Sequence, residues 1–271
     1  MSETPNETDV SARNAELFRN VEELIKTLDP RPQSALVSIT APERRVLAVR
    51  NYLRYSSAKL DKKWAWSDDE IREFMRSEDR KKIEAAIRGV VDAFEALSGN
   101  QYSLKSADAK RLIRPLHKQI EFWNGNVTVY YLGNQLIDKL LKAYPAWSRN
   151  LNLFKKYLAG MGPGGQVKLE KKTIMGAGKG GKDLNIPRSP THATPGLSDH
   201  GRANAFDFIV IHKMNGQIIA DAKTATAKDK WDKSGWTAKL KQAVIKAGNH
   251  FEGPLGSPGG GLYEPWHYIY K

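Results

Sequence analysis

The 271-residue chain contains no cysteine. That absence excludes disulfides, thiolate metal sites and a cysteine nucleophile, so any zinc has to be held by histidine and carboxylate. Long apolar runs are missing as well: nothing approaches the ~18 consecutive apolar residues of a membrane span, and none is expected. The segment Met1 to Asn14 is polar and mildly acidic, with neither the basic n-region nor the apolar h-region of a Sec-type signal. The chain therefore reads as made in the cytoplasm without such a signal. Internal repeats and heptads are absent too, and the glycines from Gly176 to Gly181 lack the GK[ST] ending that a phosphate loop requires. Nucleotide binding has no support.

What the chain does have is enough apolar material for a core, 40% of its residues, and a strong positive charge. There are 43 Lys and Arg against 30 Asp and Glu, a formal charge of +13. Residues 151–271 carry 18 basic and 9 acidic side chains, and residues 1–150 carry 25 and 21, so the excess is concentrated in the C-terminal part. Such a balance suits a polyanionic partner: nucleic acid, a membrane surface or an anionic cell-wall polymer. Charge alone does not choose among them.

From Ser11 to about Leu158 apolar residues recur at spacings of three and four, the pattern of successive amphipathic helices. The first runs through Leu17, Phe18, Val21, Leu24 and Ile25 and is expected to end at Pro30 and Pro32. Further helices are expected near Pro42–Ser57, Ser67–Arg76, Asp79–Leu97, Ala107–Phe122, Tyr131–Ala143 and Trp147–Leu158, several opening on Ser, Asp or Pro. The pattern breaks at Gly160–Gly165, where glycine-rich and lysine-rich sequence begins. Beyond it, Ala205–His212 is a short run rich in Phe, Ile and Val. With Asn215-Gly216 and Gln217–Ala220 it forms a hairpin pattern. Trp236–Ala247 has helical spacing closed by Gly248, and Tyr263–Tyr270 reads as a terminal strand. The expectation is α+β: an all-helical domain over 1–160, then a smaller domain over 161–271 built on an antiparallel sheet.

Two clusters in the second part are dense in metal-ligand chemistry: Ser198-Asp199-His200-Gly201-Arg202-Ala203-Asn204-Ala205-Phe206-Asp207, and Glu264-Pro265-Trp266-His267-Tyr268. An open catalytic zinc site takes three protein ligands and leaves a fourth position for water. His200, Asp207 and His267 provide such a set. A water used as nucleophile also needs a base, and Glu264 is the nearby carboxylate. A plain strand places positions 264 and 267 on opposite faces, so this role requires a turn or bulge at Pro265. Taken singly, His200 and Asp207 read equally well as a loop histidine hydrogen-bonded to a strand aspartate, and His267 as a buried ring among Trp266, Tyr268 and Tyr270. His192, His212 and His250 fit no ligand spacing.

The two clusters resemble the LAS metallopeptidases, the group of D-alanyl-D-alanine carboxypeptidases, phage L-alanyl-D-glutamate endolysins and extensin-like C-terminal domains. That pattern is Ser-x-His-x-x-Gly/Ala-x-Ala-x-Asp followed by Glu-x-x-His, and SDHGRANAFD and EPWH stand in its order over residues 165–271. The resemblance implies zinc on His200, Asp207 and His267, with Glu264 as general base. It also implies an upstream arginine that binds substrate and stabilises the developing oxyanion, for which Arg188 in IPRSPTH is the candidate and Arg202 its competitor.

The activity so implied is a zinc-dependent peptidase acting on an amide of the peptidoglycan stem peptide or cross-bridge, with peptidoglycan as partner and no nucleic acid expected. Such a substrate lies in the periplasm or cell wall, and two routes there fit. One is release of a phage endolysin through holin pores. The other is delivery of an antibacterial effector by a secretion machine, with an immunity protein as a further partner. Residues 1–160 would then serve targeting, wall binding or loading. The alternative is a non-catalytic zinc-containing module that binds the wall or another polyanion.

Overall fold

In a computed structural model of the chain the described residues are 7–106, 112–159, 193–222, 225–258 and 263–271. The run Lys168–Lys182, Arg188 and His192 lie outside them. Helices α1 (Glu7–Ile25), α2 (Pro30–Val37), α3 (Pro42–Tyr52), α4 (Ser57–Lys63), α5 (Asp68–Phe74) and α6 (Glu78–Leu97) come first. Then follow β1 (Tyr102–Ser106), α7 (Leu116–Gly125), α8 (Val127–Lys142), α9 (Tyr144–Trp147) and α10 (Leu151–Leu158). Further along come a 3-10 turn (Asp199–Arg202), β2 (Ala205–His212), β3 (Ile218–Ala220), α11 (Ala225–Lys233), α12 (Trp236–Lys246), β4 (Phe251–Glu252) and β5 (His267–Tyr270). The fold is α+β, with a helical N-terminal part and an antiparallel sheet.

The boundary expected at residue 160 is not where the compact units divide. One unit gathers the described residues up to Lys62, those from Gln119 to Ala159, and the short piece ending at Gly196. The other gathers those from Lys63 to Lys118 and from Leu197 to Lys271. Helices α5 and α6 and strand β1 therefore belong with the C-terminal strands. The physical reason is β1, a strand within a half whose spacing is otherwise helical. Gly99 and Asn100 both take left-handed backbone (φ 64 and 58) and stop α6. Five residues then pair along β2 from Tyr102↔His212 to Ser106↔Phe208. Tyr-Ser-Leu-Lys-Ser carries one weak alternation, too little to announce a strand in isolation.

In the helical unit, Pro30 and Pro32 open a helix rather than close one. Asp29 caps α2 by accepting from the Arg31 backbone N–H, and Pro30 stands at the first helical position, where a missing N–H costs nothing. Helix α3 packs on α8 so closely that a Cβ at Gly133 would overlap the Glu43 carbonyl. Glycine is needed there for the approach, despite its poor helix propensity. Trp147, Phe154 and Leu158 are fully buried, and the Trp147 indole N–H donates to the Leu140 carbonyl.

In the second unit β2 is central. Its Phe208–His212 half pairs with β1, while the opposite edge is shared between β5 at Ala205–Asp207 and β3 at Val210–Ile211. Strand β4 closes the sheet on β5. The hairpin from β2 to β3 forms as expected, but its connection is wider than a tight Asn-Gly turn. His212 N–H donates to the Gln217 carbonyl, and Lys213 to Gly216 loop out between them. One face of the sheet is covered by α6 and α12, whose Val90, Phe94, Trp236, Leu240 and Val244 join Phe206, Phe208 and Tyr268 in a single core. Trp231 and Trp236 are part of it, so neither lines a groove. Of the described residues, no helix is long and apolar enough to cross a membrane.

Candidate metal centre

The sheet itself brings two of the expected ligands together. Asp207 is the third residue of β2 and stands directly opposite His267, the first of β5. Cross-strand partners point to the same face with Cβ atoms about 4.5–5.5 Å apart. Here the His267 Nδ1 lies 2.9 Å from Asp207 Oδ1. The third comes from the 3-10 turn before β2, which places His200 Nε2 3.3 Å from the other carboxylate oxygen, Oδ2. That turn is fixed from outside: the Trp66 N–H donates to the Gly201 carbonyl and the Arg114 N–H to the His200 carbonyl. Ala203, in left-handed backbone, swings the chain into the strand.

His200, Asp207 and His267 are each at least nine-tenths buried, and one ligand atom from each lies within 4.8 Å of the others. The imidazole rings meet edge to face, 5.0 Å between centroids. Burial alone would push the Asp207 carboxyl up. His200, the hydrogen bond from His267 and Arg114 outweigh it and bring the pKa down to about 2. Asp207 is thus held as a carboxylate, the form that binds cations. For His267 burial disfavours the charged ring, but Asp207 more than offsets it and its pKa is raised. Two imidazoles and one carboxylate at mutual reach can hold a metal ion, with a donor set of nitrogen and oxygen only.

Glu264 reaches the same place by irregular backbone. The terminal strand is shorter than expected, because Glu264 to His267 form a turn closed by the His267 N–H on the Glu264 carbonyl. Glu264 also pairs with Leu255 in an isolated bridge. Pro265 and Trp266 are looped out between two bonds to Leu255, Glu264 N–H to its carbonyl and its N–H to the His267 carbonyl, and this breaks the strand alternation, with Glu264 Oε2 3.8 Å from His267 Nδ1. Burial, with Asp207 nearby, raises the Glu264 pKa in spite of His267 and Lys228. A carboxyl so placed holds a proton more readily than an exposed one.

No family model, curated protein or solved structure matches the chain.

The arginine at the site is one that the sequence did not single out. Arg114 Nη2 lies 3.3 Å from Asp207 Oδ2. The stretch Ala107–Phe122 reads as one helix, yet α7 starts only at Leu116. Arg114 precedes Pro115, and a residue before proline is pushed out of the helical region. Its N–H is thereby released to the His200 carbonyl, and its side chain is carried onto the aspartate. Arg202, the competitor for a substrate role, lies instead over the Trp66 ring, 5.9 Å from its centroid. Around the turn, the Tyr263 hydroxyl donates to Asp232 Oδ1 at 2.7 Å, and Trp231 packs 6.4 Å from Trp266. Helix α11 thus braces the segment that carries Glu264 and His267.

Proposed function

We propose that the His200–Asp207–His267 group binds zinc and that the chain is a metallopeptidase hydrolysing an amide of peptidoglycan, in the stem peptide or cross-bridge. The observation that carries this reading is the meeting of three buried ligands with Glu264 through the Pro265 turn. The resemblance of SDHGRANAFD and EPWH to the LAS pattern supplies the substrate class.

His200, Asp207 and His267 would hold the zinc, which when bound would supply a Lewis acid for the carbonyl and a more acidic water. The chain's own residues do the rest. Glu264, half-buried and with a raised pKa, accepts the water proton and passes it to the departing amine nitrogen. Asp207 stays ionised under His200, His267 and Arg114, and so orients both rings. Arg114, beside Asp207, is the described guanidinium best placed to attract a substrate carboxylate or the developing oxyanion. Arg188 stays a candidate for the same contact.

A wall substrate places the action in the periplasm or cell wall, reached through holin pores or a secretion machine, with an immunity protein as partner in the second case. Purified peptidoglycan incubated with the zinc-loaded chain, followed by mass spectrometry of the soluble fragments, tests the reading. Muropeptides carrying one new amine and one new carboxylate are the expected products, with the glycan strands intact. Zinc-replete protein that releases nothing would leave the non-catalytic zinc-containing binding module instead.

A further inference from the structure

The helical unit contains a cation that its own fold does not neutralise. Arg50 stands in the last turn of α3 and is only 8% exposed. Among the described residues no carboxylate pairs with its guanidinium and no acceptor is hydrogen-bonded to it. The charged group that acts on it is another cation, Arg54, four residues on and exposed. Burial, reinforced by Arg54, lowers the Arg50 pKa to about 10, which leaves it charged at neutral pH.

A buried arginine often means an aliphatic stem packed in the core with the head group in water. Part of that holds here. The Arg50 nitrogens are not among the sealed and unsatisfied ones, unlike Nε of Arg44 and Arg45, so the guanidinium is reachable. The carbonyls at the end of α3 also favour a cation. Neither accounts for a second guanidinium beside the first, that of Arg54 in the turn directly after α3, whose like charge acts on Arg50. An oxyanion between the two forks would remove both the repulsion and the unpaired charge, through the geometry at which guanidinium groups are strongest.

The neighbouring donors are already committed and make the frame rigid. Asn51 Nδ2 donates to Thr194 Oγ1 at 2.8 Å, and the Tyr52 hydroxyl donates to the Pro195 carbonyl at 2.7 Å. We propose that Arg50 and Arg54 form an oxyanion-binding site in the helical unit, taking a phosphate group either free or carried on an anionic polymer. The site gives the helical unit a binding role separate from the metal centre and independent of catalysis there.

The test is thermal unfolding of the full chain in inorganic phosphate, with chloride replaced at constant ionic strength. The midpoint should rise by several degrees as phosphate passes through the millimolar range, because a ligand of the folded state alone stabilises it. Arg50→Met keeps the stem and removes the charge. It should unfold no lower than the wild type without phosphate, and should lose the phosphate response. Arg54→Gln, at an exposed position, should fold normally and need at least fivefold more phosphate for the same rise. A wild-type midpoint indifferent to phosphate overturns the proposal, as does a full response in either variant; if Arg50→Met fails to fold, Arg54→Gln alone decides. A poly(glycerol phosphate) arm at equal phosphate concentration separates the sources: a larger shift than free phosphate identifies a polymer ligand, an equal one the free ion.

Discussion

Replacing Glu264 with Gln should lower the rate of wall digestion by about 10²–10⁴-fold, the contribution of a positioned proton-transfer group. Zinc content should stay at the wild-type level. The separation of the two readouts is the point. Glu264 approaches His267 Nδ1 at 3.8 Å but does not belong to the three-residue group that offers ligand atoms. The amide of glutamine keeps the volume and the turn while losing the ability to accept a proton from water. Amine release from purified peptidoglycan, with metal content measured on the same samples, decides the matter. Undiminished digestion would remove Glu264 from the mechanism, and lost zinc would move it into the ligand set.

Asp207→Ala should have the largest effect on both metal and fold. Asp207 is the common partner of His200, His267 and Arg114, and all of these contacts are shielded from solvent. Removing one member of a buried charged network costs about 3–5 kcal/mol, because the remaining charges are left without compensation. Loss of an outer hydrogen-bond partner already costs 10–100-fold in metal affinity, and loss of a ligand should exceed that. Denaturant unfolding of the metal-free chain, with zinc titration of the folded variant, gives the two numbers. An unchanged unfolding midpoint would mean that the three contacts contribute little to the fold, and unchanged zinc affinity would take Asp207 out of the site.

Much of this site is legible in the sequence because it is local there. His200 and Asp207 lie on one short segment, and Glu264 and His267 on another. What the pattern could not contain is the register that sets Asp207 opposite His267, since pairing between distant strands leaves no local trace. The Pro265 turn sits between these extremes: proline advertises a break, and the two residues looped out there bring Glu264 and His267 together. Arg114 was hidden for a different reason. It reaches the site from 86 residues before His200, through a strand, β1, that lies in a region of otherwise helical spacing.

The same cause explains the domain boundary. Gly160–Gly165 is a true change in composition, but the compact units follow which elements share a core. Val90 and Phe94 of α6 pack with Phe206 and Phe208 of β2 across more than a hundred residues of sequence. Glycine content cannot report such pairing. The helix that starts at a plain cap is the one placed best: Ser67 with Glu70 forms a full capping box, whereas Asn126 and Asn150 cap α8 and α10 away from the starts expected at Tyr131 and Trp147.

If His200, Asp207 and His267 bind one zinc ion together, as proposed, each should appear in its first shell. X-ray absorption at the zinc edge of the reloaded chain tests it directly. The expected result is one ion per chain, a first shell of nitrogen and oxygen at about 2.0–2.1 Å, and the multiple-scattering signature of two imidazoles that falls to one in His267→Ala. Zinc without imidazole scattering, or a spectrum unaltered by that substitution, would contradict it.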